Sequence, residues 1–306
     1  MSVSTPMSIN IKSKWREVKK NRWAYTFISP FYILFAIFSM YPIIFSIYLS
    51  FIKWKPAAPS EFVGFDNYRR LITDPIFWQS IRNGFIMFIL YVPVMTLLAL
   101  VLAVILNAKF IKFFRVFRTM LFIPYITTMI AVGFVFQMLY KYKEGLFNTI
   151  LTSIGLPAVP WLQSVWGARV SLSILIIWAW LSYNMVIMLA GLQTIPKDLV
   201  EAATIDGANP VQAFFRITVP LMRPIILFSV ILSTIGSFGL FNEIYALTFG
   251  QQLGGPKYGT ITPLVYIYSQ AFQNFNFSYV AAVSYVYFAI IFIITLLQLR
   301  YFGRED

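Results

Sequence analysis

Reactive side chains are scarce in this chain. Its 306 residues include no cysteine and no histidine. Thiol nucleophiles, thiolate metal sites, the Ser-His-Asp relay and HExxH zinc sites are therefore excluded. What remains are hydroxyls, amides and aromatic rings set inside apolar sequence. Ser182, Tyr183 and Asn184 follow Trp178 and Trp180. Ser229, Ser233 and Ser237 recur at every fourth position, interleaved with Thr234 and followed by Phe238, Phe241, Asn242 and Glu243. That spacing puts the three serines on one helix face. Polar groups inside apolar helices are costly and mark candidate function. Hydroxyls and amides that bond sugar hydroxyls, beside rings for the sugar's C–H faces, would make a path for a neutral carbohydrate. The candidates are Tyr183, Asn184, Ser233, Ser237, Phe238, Asn242 and Glu243. The serines fit helix–helix contact equally well, and the rings fit lipid contact. Glu243 reads as a solvated or salt-bridged gate residue rather than a proton carrier.

The elements that would position these groups follow from composition. Hydrophobic residues make up 59% of the chain and charged residues 11%, against about 25% charged in a soluble domain. Such a chain belongs in a bilayer. Stretches 23–52, 83–108, 119–140, 170–196, 224–242 and 258–299 carry no charge. They predict an all-α integral membrane protein with transmembrane helices near 24–51, 84–107, 119–140, 169–190, 224–248 and 278–299. Barrel-type alternation is missing. Of the 24 Lys and Arg, 15 fall on one side of this topology and 9 on the other. The richer side is cytoplasmic, which puts both termini inside. Residues 1–22 then form a basic cytoplasmic tail and 23–306 the membrane domain. The net charge of +13 is explained by topology and anionic membrane lipid; nucleic acid is not implied. The apolar run from Trp23 is too long for a cleaved leader and reads as a retained span.

The connections are more telling. Asp74-Pro75 is a helix-start signal that leads through Phe77, Trp78 and Ile81 into the second span. Leu146, Phe147, Ile150, Leu151 and Ile154 predict an outer surface helix that Gly155 and Pro157 end. The segment 195–220 predicts two short rods on the cytoplasmic side. Pro196 opens the first and Gly207 closes it; Asn209 caps the second and Pro220 ends it. Leu199, Ala202, Ala203 and Ile205 give the first rod a flat surface that fits a groove on a partner. On physics alone, an interfacial hairpin without a partner fits as well.

At this segment the chain resembles a family. Glu201-Ala202-Ala203, three residues, Gly207, nine residues, Ile217, one residue and Val219-Pro220 look like the "EAA" coupling motif of binding-protein-dependent ABC importer permeases. Asp206-Gly207-Ala208 extends the likeness; Val219 departs from it, since leucine is commoner there. Phe62-Val63-Gly64-Phe65-Asp66-Asn67-Tyr68, Gly254-Gly255-Pro256 and Tyr279-Val280-Ala281-Ala282 resemble flanking stretches of the sugar permeases of this class. The likeness spans about 24–300. It is nearest the maltose, lactose and glycerol-3-phosphate type, first subunit of a two-permease pair.

The resemblance implies a type I ABC importer permease fold in a bacterial or archaeal cytoplasmic membrane. It implies a second homologous permease, two ATPase subunits and an extracellular sugar-binding protein as partners. It assigns ATPase coupling to Glu201, Ala202, Ala203, Asp206, Gly207, Ala208 and Pro220, and matches Tyr183, Ser233 and Ser237 best among substrate contacts. No G-x-x-x-x-G-K-[ST] loop occurs, so ATP and Mg belong to the partner ATPase and this chain is a transport subunit, not an enzyme. The alternatives are a non-sugar solute such as a polyol or glycerol phosphate, or an ion-coupled secondary transporter. The latter needs a relay of buried ionisable groups or broken helices in matched halves. One intramembrane acid does not supply it.

Overall fold

The computed structural model describes residues 20–55, 58–107 and 114–302. Most of the basic tail, Lys109, Lys112 and Arg304, on which part of the orientation argument rests, lies outside the described residues.

Helices dominate the described residues, and 5 of them are long and apolar enough to cross a membrane. In chain order these are α1 (Arg22–Ser50), α3 (Pro75–Asn107), α7 (Val165–Thr194), α9 (Pro210–Phe238) and α12 (Phe277–Phe302). Shorter helices lie between them: α2 (Asp66–Ile72), α4 (Phe114–Ile126), α5 (Met129–Leu139), α6 (Leu146–Ser153), α8 (Lys197–Ile205), α10 (Asn242–Leu247) and α11 (Pro263–Tyr268). The all-α expectation has one exception. Ile52–Lys55 (β1) and Ala58–Phe62 (β2) pair antiparallel, with Lys53 opposite Glu61 and Ile52 opposite Phe62. The opposed charges and the apolar pair hold the register.

Three expected boundaries need correction. The predicted third span, 119–140, is two helices bent by 95° at residues 127–128. Pro124 removes one helical donor, and Thr128 is extended (φ −62°, ψ 116°), so α4 ends and α5 restarts in a new direction. The predicted fifth span, 224–248, stops at Phe238. Gly239 caps it, and the carbonyl freed at Leu240 accepts from the Thr262 hydroxyl at 2.5 Å before α10 begins. Pro220 does not end the second cytoplasmic rod. The helix widens to a π turn over Phe214–Thr218, where the Val219 N–H reaches the Phe214 carbonyl, and runs on through Pro220 as α9. A wide turn absorbs the carbonyl that proline leaves without a donor. The same device precedes Pro42 in α1, at Ala36–Met40.

The core forms around α3 and α7, the most extensive helix pair. The helix start expected at Asp74-Pro75 is present: Asp74 Oδ1 accepts from the Ile76 and Phe77 amides at 3.0 and 3.2 Å. From there α3 is continuous through residue 107, at about 1.5 Å per residue far longer than a hydrocarbon core requires. One apolar cluster joins α3 and α7 to α10, α11 and α12; the other joins Ala99, Ala103, Met185, Met188 and Met222 nearer to α8. Gly84 lets Phe238 seat directly on α3, where a Cβ would overlap the ring. The first half of α1 is exposed along its length, and its second half meets α12, where Ser46 and Tyr285 hydroxyls lie 2.6 Å apart.

Candidate functional site

Two places concentrate the candidate residues. The first is a cavity of about 360 Å³ bounded by α3, α4, α7, α9 and α10. Its aromatic side is built by the bend after α4. Tyr125 stacks on Tyr183 of α7 at 5.0 Å with the planes 14° apart, and Trp180 stands edge-on to Tyr125 at 5.4 Å. Its polar side comes from α7 and α9. Ser229 donates to Asn184 Oδ1 at 2.5 Å, and Asn184 Nδ2 bonds the Trp180 carbonyl at 3.1 Å, which fixes the amide. The Tyr91 hydroxyl of α3 donates to the Ser233 carbonyl at 3.1 Å. Gly236 near the end of α9, Gly239 and Leu240 in the break after Phe238, and Glu243 of α10 complete the wall.

Of the seven path candidates, Tyr183, Asn184, Ser233 and Glu243 line this cavity. Ser237, Phe238 and Asn242 are not on its wall. Ser237 is fully buried and donates to the Thr234 carbonyl, Phe238 packs on Gly84 and Phe85, and Asn242 is exposed at the start of α10. The expectation that Glu243 is solvated or salt-bridged is wrong. It is 5% exposed, and among the described residues no Lys or Arg pairs with it. The helix break after Gly239 turns it inward, where the Trp180 side chain approaches its carboxyl.

The second place is the segment after α7. Pro196 precedes α8, and Gly207 adopts φ +87°, the left-handed conformation that lets the chain reverse. Asn209 then caps α9 through a reciprocal pair: its side chain accepts from the Gln212 amide at 2.8 Å, and Gln212 accepts from the Asn209 amide at 3.0 Å. Glu201, Ala202, Asp206, Gly207 and Pro220 are exposed; Ala203 and Ala208 are half-buried. Glu201 borders a cavity of about 560 Å³ with Asn107, Gln193 and Thr218.

Residues 83–304 match the family described as binding-protein-dependent transport system inner membrane component. The chain belongs to this permease family. Over 288 residues, 93% of this chain and 94% of the relative, the permease is 38% identical to the lactose transport system permease protein LacF of Rhizobium radiobacter. It is 36% identical to the arabinooligosaccharides transport system permease protein AraP of Halalkalibacterium halodurans, over 91% of this chain and 87% of the relative. Its fold matches a chain of the bacterial alginate ABC transporter, solved in complex with an alginate pentasaccharide-bound periplasmic protein. The TM-score is 0.79 at 23% identity, covering 94% of this chain and 96% of that one.

Among the cavity residues of the permease that sequence reasoning missed are Tyr91, Met95 and Tyr125. Tyr91 and Met95 sit in an uninterrupted apolar run, where nothing distinguishes a cavity-facing ring from a lipid-facing one. Tyr125 reaches the cavity only because α4 breaks. The signal was available in Pro124 followed by Thr127-Thr128, a proline and two β-branched residues inside a predicted span.

Proposed function

We propose that this permease forms one half of the translocation path of an ATP-driven importer that carries a sugar or oligosaccharide into the cytoplasm. A second homologous permease supplies the other half, two ATPase subunits bind ATP and Mg, and an extracellular binding protein delivers the cargo. In this reading α4 and α5 together count as one crossing, giving six, with both termini in the cytoplasm of a bacterial or archaeal cell. The segment 195–220 is the coupling element. Glu201, Ala202, Ala203, Asp206, Gly207 and Ala208 meet the ATPase, and Pro220 sits where α9 enters the bundle. Tyr183, Asn184, Ser233 and Glu243 contact the sugar, and Ser237 and Phe238 back the wall behind them.

The observation that carries this reading is α8 itself: a nine-residue helix between two long apolar helices, exposed on the Glu201 face and closed by a left-handed glycine. A short amphipathic rod with an open face is the form a partner's groove accepts. The relatives transport lactose and arabinooligosaccharides by name, which favours a saccharide over a polyol phosphate. The cavity's rings and hydroxyls suit the same cargo.

The test is reconstitution with the partner permease, ATPase and binding protein in proteoliposomes. ATP-dependent saccharide uptake is expected. Uptake driven by a pH gradient without ATP would overturn the reading.

A further inference from the structure

Where the β-hairpin meets the start of α12, a pocket of about 430 Å³ collects positive charge. Lys53 of β1 and Arg70 of α2 line it, and among the described residues no carboxylate comes within 4.0 Å of either. Glu61 stands opposite Lys53 in the hairpin without closing an ion pair, and Asp66, the acid on the pocket wall, is engaged by Arg69 at 3.3 Å. Arg70 is held in place: its guanidinium lies over the Tyr279 ring at 4.2 Å, and the Tyr279 hydroxyl donates to Asp74 at 2.6 Å. Ser278, also on the wall and 7% exposed, accepts from the Trp54 amide at 2.9 Å and keeps its own proton to give. It stands in the first turn of α12, a 26-residue helix whose opening amides and dipole add to the positive side. Two cations, a buried hydroxyl and a helix start around one pocket make an oxyanion site.

The level of the pocket in the fold points to the source of the oxyanion. It lies just past Ser50, where α1 ends, and at Phe277, where α12 begins; both helices are long and apolar enough to cross a bilayer. The ends of crossing helices stand at the level of lipid headgroups, where aromatic rings gather. Trp54 is on the pocket wall, edge-on to Phe277 at 5.5 Å, and Phe275 beside it is exposed. From the pocket α1 and α12 run on together, joined at Ser46 and Tyr285, with Ile44, Tyr48, Phe288 and Phe292 exposed as surface for acyl chains. An anionic headgroup brings a phosphate and no cation. A zwitterionic one sets an ammonium against Lys53 and Arg70.

We propose that this pocket binds the phosphate of an anionic phospholipid, which ties the hairpin to the start of α12. Headgroups line both faces of a bilayer, so the site is available whichever side the hairpin faces.

The complete importer is embedded in phosphatidylcholine nanodiscs that hold a small share of phosphatidylglycerol with a diazirine high on one acyl chain. A phosphatidylcholine with the same diazirine is the comparison, and crosslinks on this chain are mapped by peptide mass spectrometry. Phosphatidylglycerol should mark residues 51–54 and 275–279 about fivefold more than phosphatidylcholine does. Lys53→Gln with Arg70→Gln should cut that marking by roughly tenfold. Lys53→Gln alone, on the exposed hairpin, should cut it about fivefold and keeps the test open should Arg70→Gln unsettle Tyr279. Lys141→Gln with Lys143→Gln, two exposed cations outside the pocket, should leave it unchanged.

Equal marking by the two lipids overturns the proposal, as does marking that survives the pocket variants or falls equally in the Lys141 and Lys143 variant. Loss of marking on adding excess inorganic phosphate would make this a site for the free ion and not for lipid. Absence of crosslinks at these residues, or their loss when the binding protein is added together with weaker binding-protein association in the pocket variants, would give the pocket to a protein partner instead.

Discussion

The two ends of the bundle satisfy their polar groups in opposite ways. At the end that carries the β-hairpin, side chains bridge elements far apart in sequence. Asp74 Oδ2 accepts from the Tyr279 hydroxyl at 2.6 Å and from the Tyr266 hydroxyl, tying the start of α3 to α11 and α12. Arg70 lies over the Tyr279 ring at 4.2 Å. Asn83 donates to the Tyr258 and Ile261 carbonyls and accepts from Arg169. Asn148 uses both ends of its amide, bonding Tyr142, Val159 and Trp161. At the α8 end the bonds are local: Thr204 to the Val200 carbonyl, and Asn209 with Gln212. One end is a closed network that fixes helix positions from within. The other is a small, self-capped unit whose open face has no partner within the described chain. The coupling role proposed above, in which the permease is driven from the α8 end, calls for this asymmetry. A rod that transmits force must be seated by the driver, whereas the opposite end must hold the helices in register while they tilt.

Breaking the closed network should give the largest effect on stability. Arg169→Met would leave Asn83 Oδ1 and the Gly259 carbonyl without their donor in a buried site. Each orphaned acceptor costs about 1–3 kcal/mol, so the purified permease should melt well below the unmodified chain. Arg169→Lys should recover only part of the loss, because an ammonium cannot reach both acceptors with the geometry of the guanidinium fork. Unchanged melting in Arg169→Met would mean that the hairpin end is not a structural network.

Asp74→Asn should come next in size. Burial pushes this carboxyl up, but hydrogen bonds from Tyr266, Tyr279 and the Phe77 and Ile76 amides outweigh it and hold the group below its ordinary value of 3.8. The folded state therefore gains stability from the ionised form. The gain is complete above the ordinary value and is lost as pH falls from there through the lower folded value. Asparagine keeps the cap but loses the charge. The variant should melt earlier at neutral pH, by about 1–2 kcal/mol, and its melting should lose less on acidification than that of the unmodified chain. Parallel pH–melting curves for the two proteins would refute the assignment.

Gly207→Val probes the other end. At φ +87° a β-branched residue is strained by roughly 1 kcal/mol or more, although a Cβ there meets no neighbouring atom. The strain therefore acts on the turn alone. Melting should drop slightly, and ATPase co-purification and ATP-driven uptake should drop far more. Uptake at the unmodified rate would show that the angle between α8 and α9 does not matter.

The difference between the ends also explains what could be read from the sequence. The α8 unit is local, and its signals are punctuation: a proline before the helix, a glycine after it, an asparagine cap. Each has one physical reading, and Gly207 and Asn209 adopt it. The long apolar helices are legible for a related reason, since bilayer thickness sets the shortest apolar run that can cross it. Pro220 is misleading because a proline stops a helix only where no wider turn takes up the carbonyl it leaves free, and here a π turn does. The cavity is least legible. Tyr183 and Ser233 stand out as polar groups in apolar helices, but Tyr125 reaches the site through a 95° bend, and Glu243 turns inward only because the helix breaks at Gly239. Those are tertiary outcomes; at the second break, Thr262 captures the Leu240 carbonyl from 22 residues away.

The smallest effect on stability should accompany a large loss of function. Glu201 is exposed on α8, and none of the local side-chain bonds named at this end involves it. Glu201→Lys should therefore leave melting where surface substitutions leave it, within about 0.5 kcal/mol. Its charge matters only to whatever sits against α8. With Asp198 and Asp206 it makes the rod acidic apart from Lys197, so the coupling role proposed above calls for a basic groove on the ATPase. Reversal puts like charges together as the helix seats, and a like-charge pair at a docked interface weakens association by roughly tenfold or more. Co-purification of the ATPase and ATP-driven uptake should fall together, while Glu201→Gln, which removes attraction without adding repulsion, should lie between. The order Glu, Gln, Lys is the informative result. A bulky side chain that merely obstructed the groove would penalise glutamine hardly at all, and an interfacial hairpin with no partner would leave all three alike.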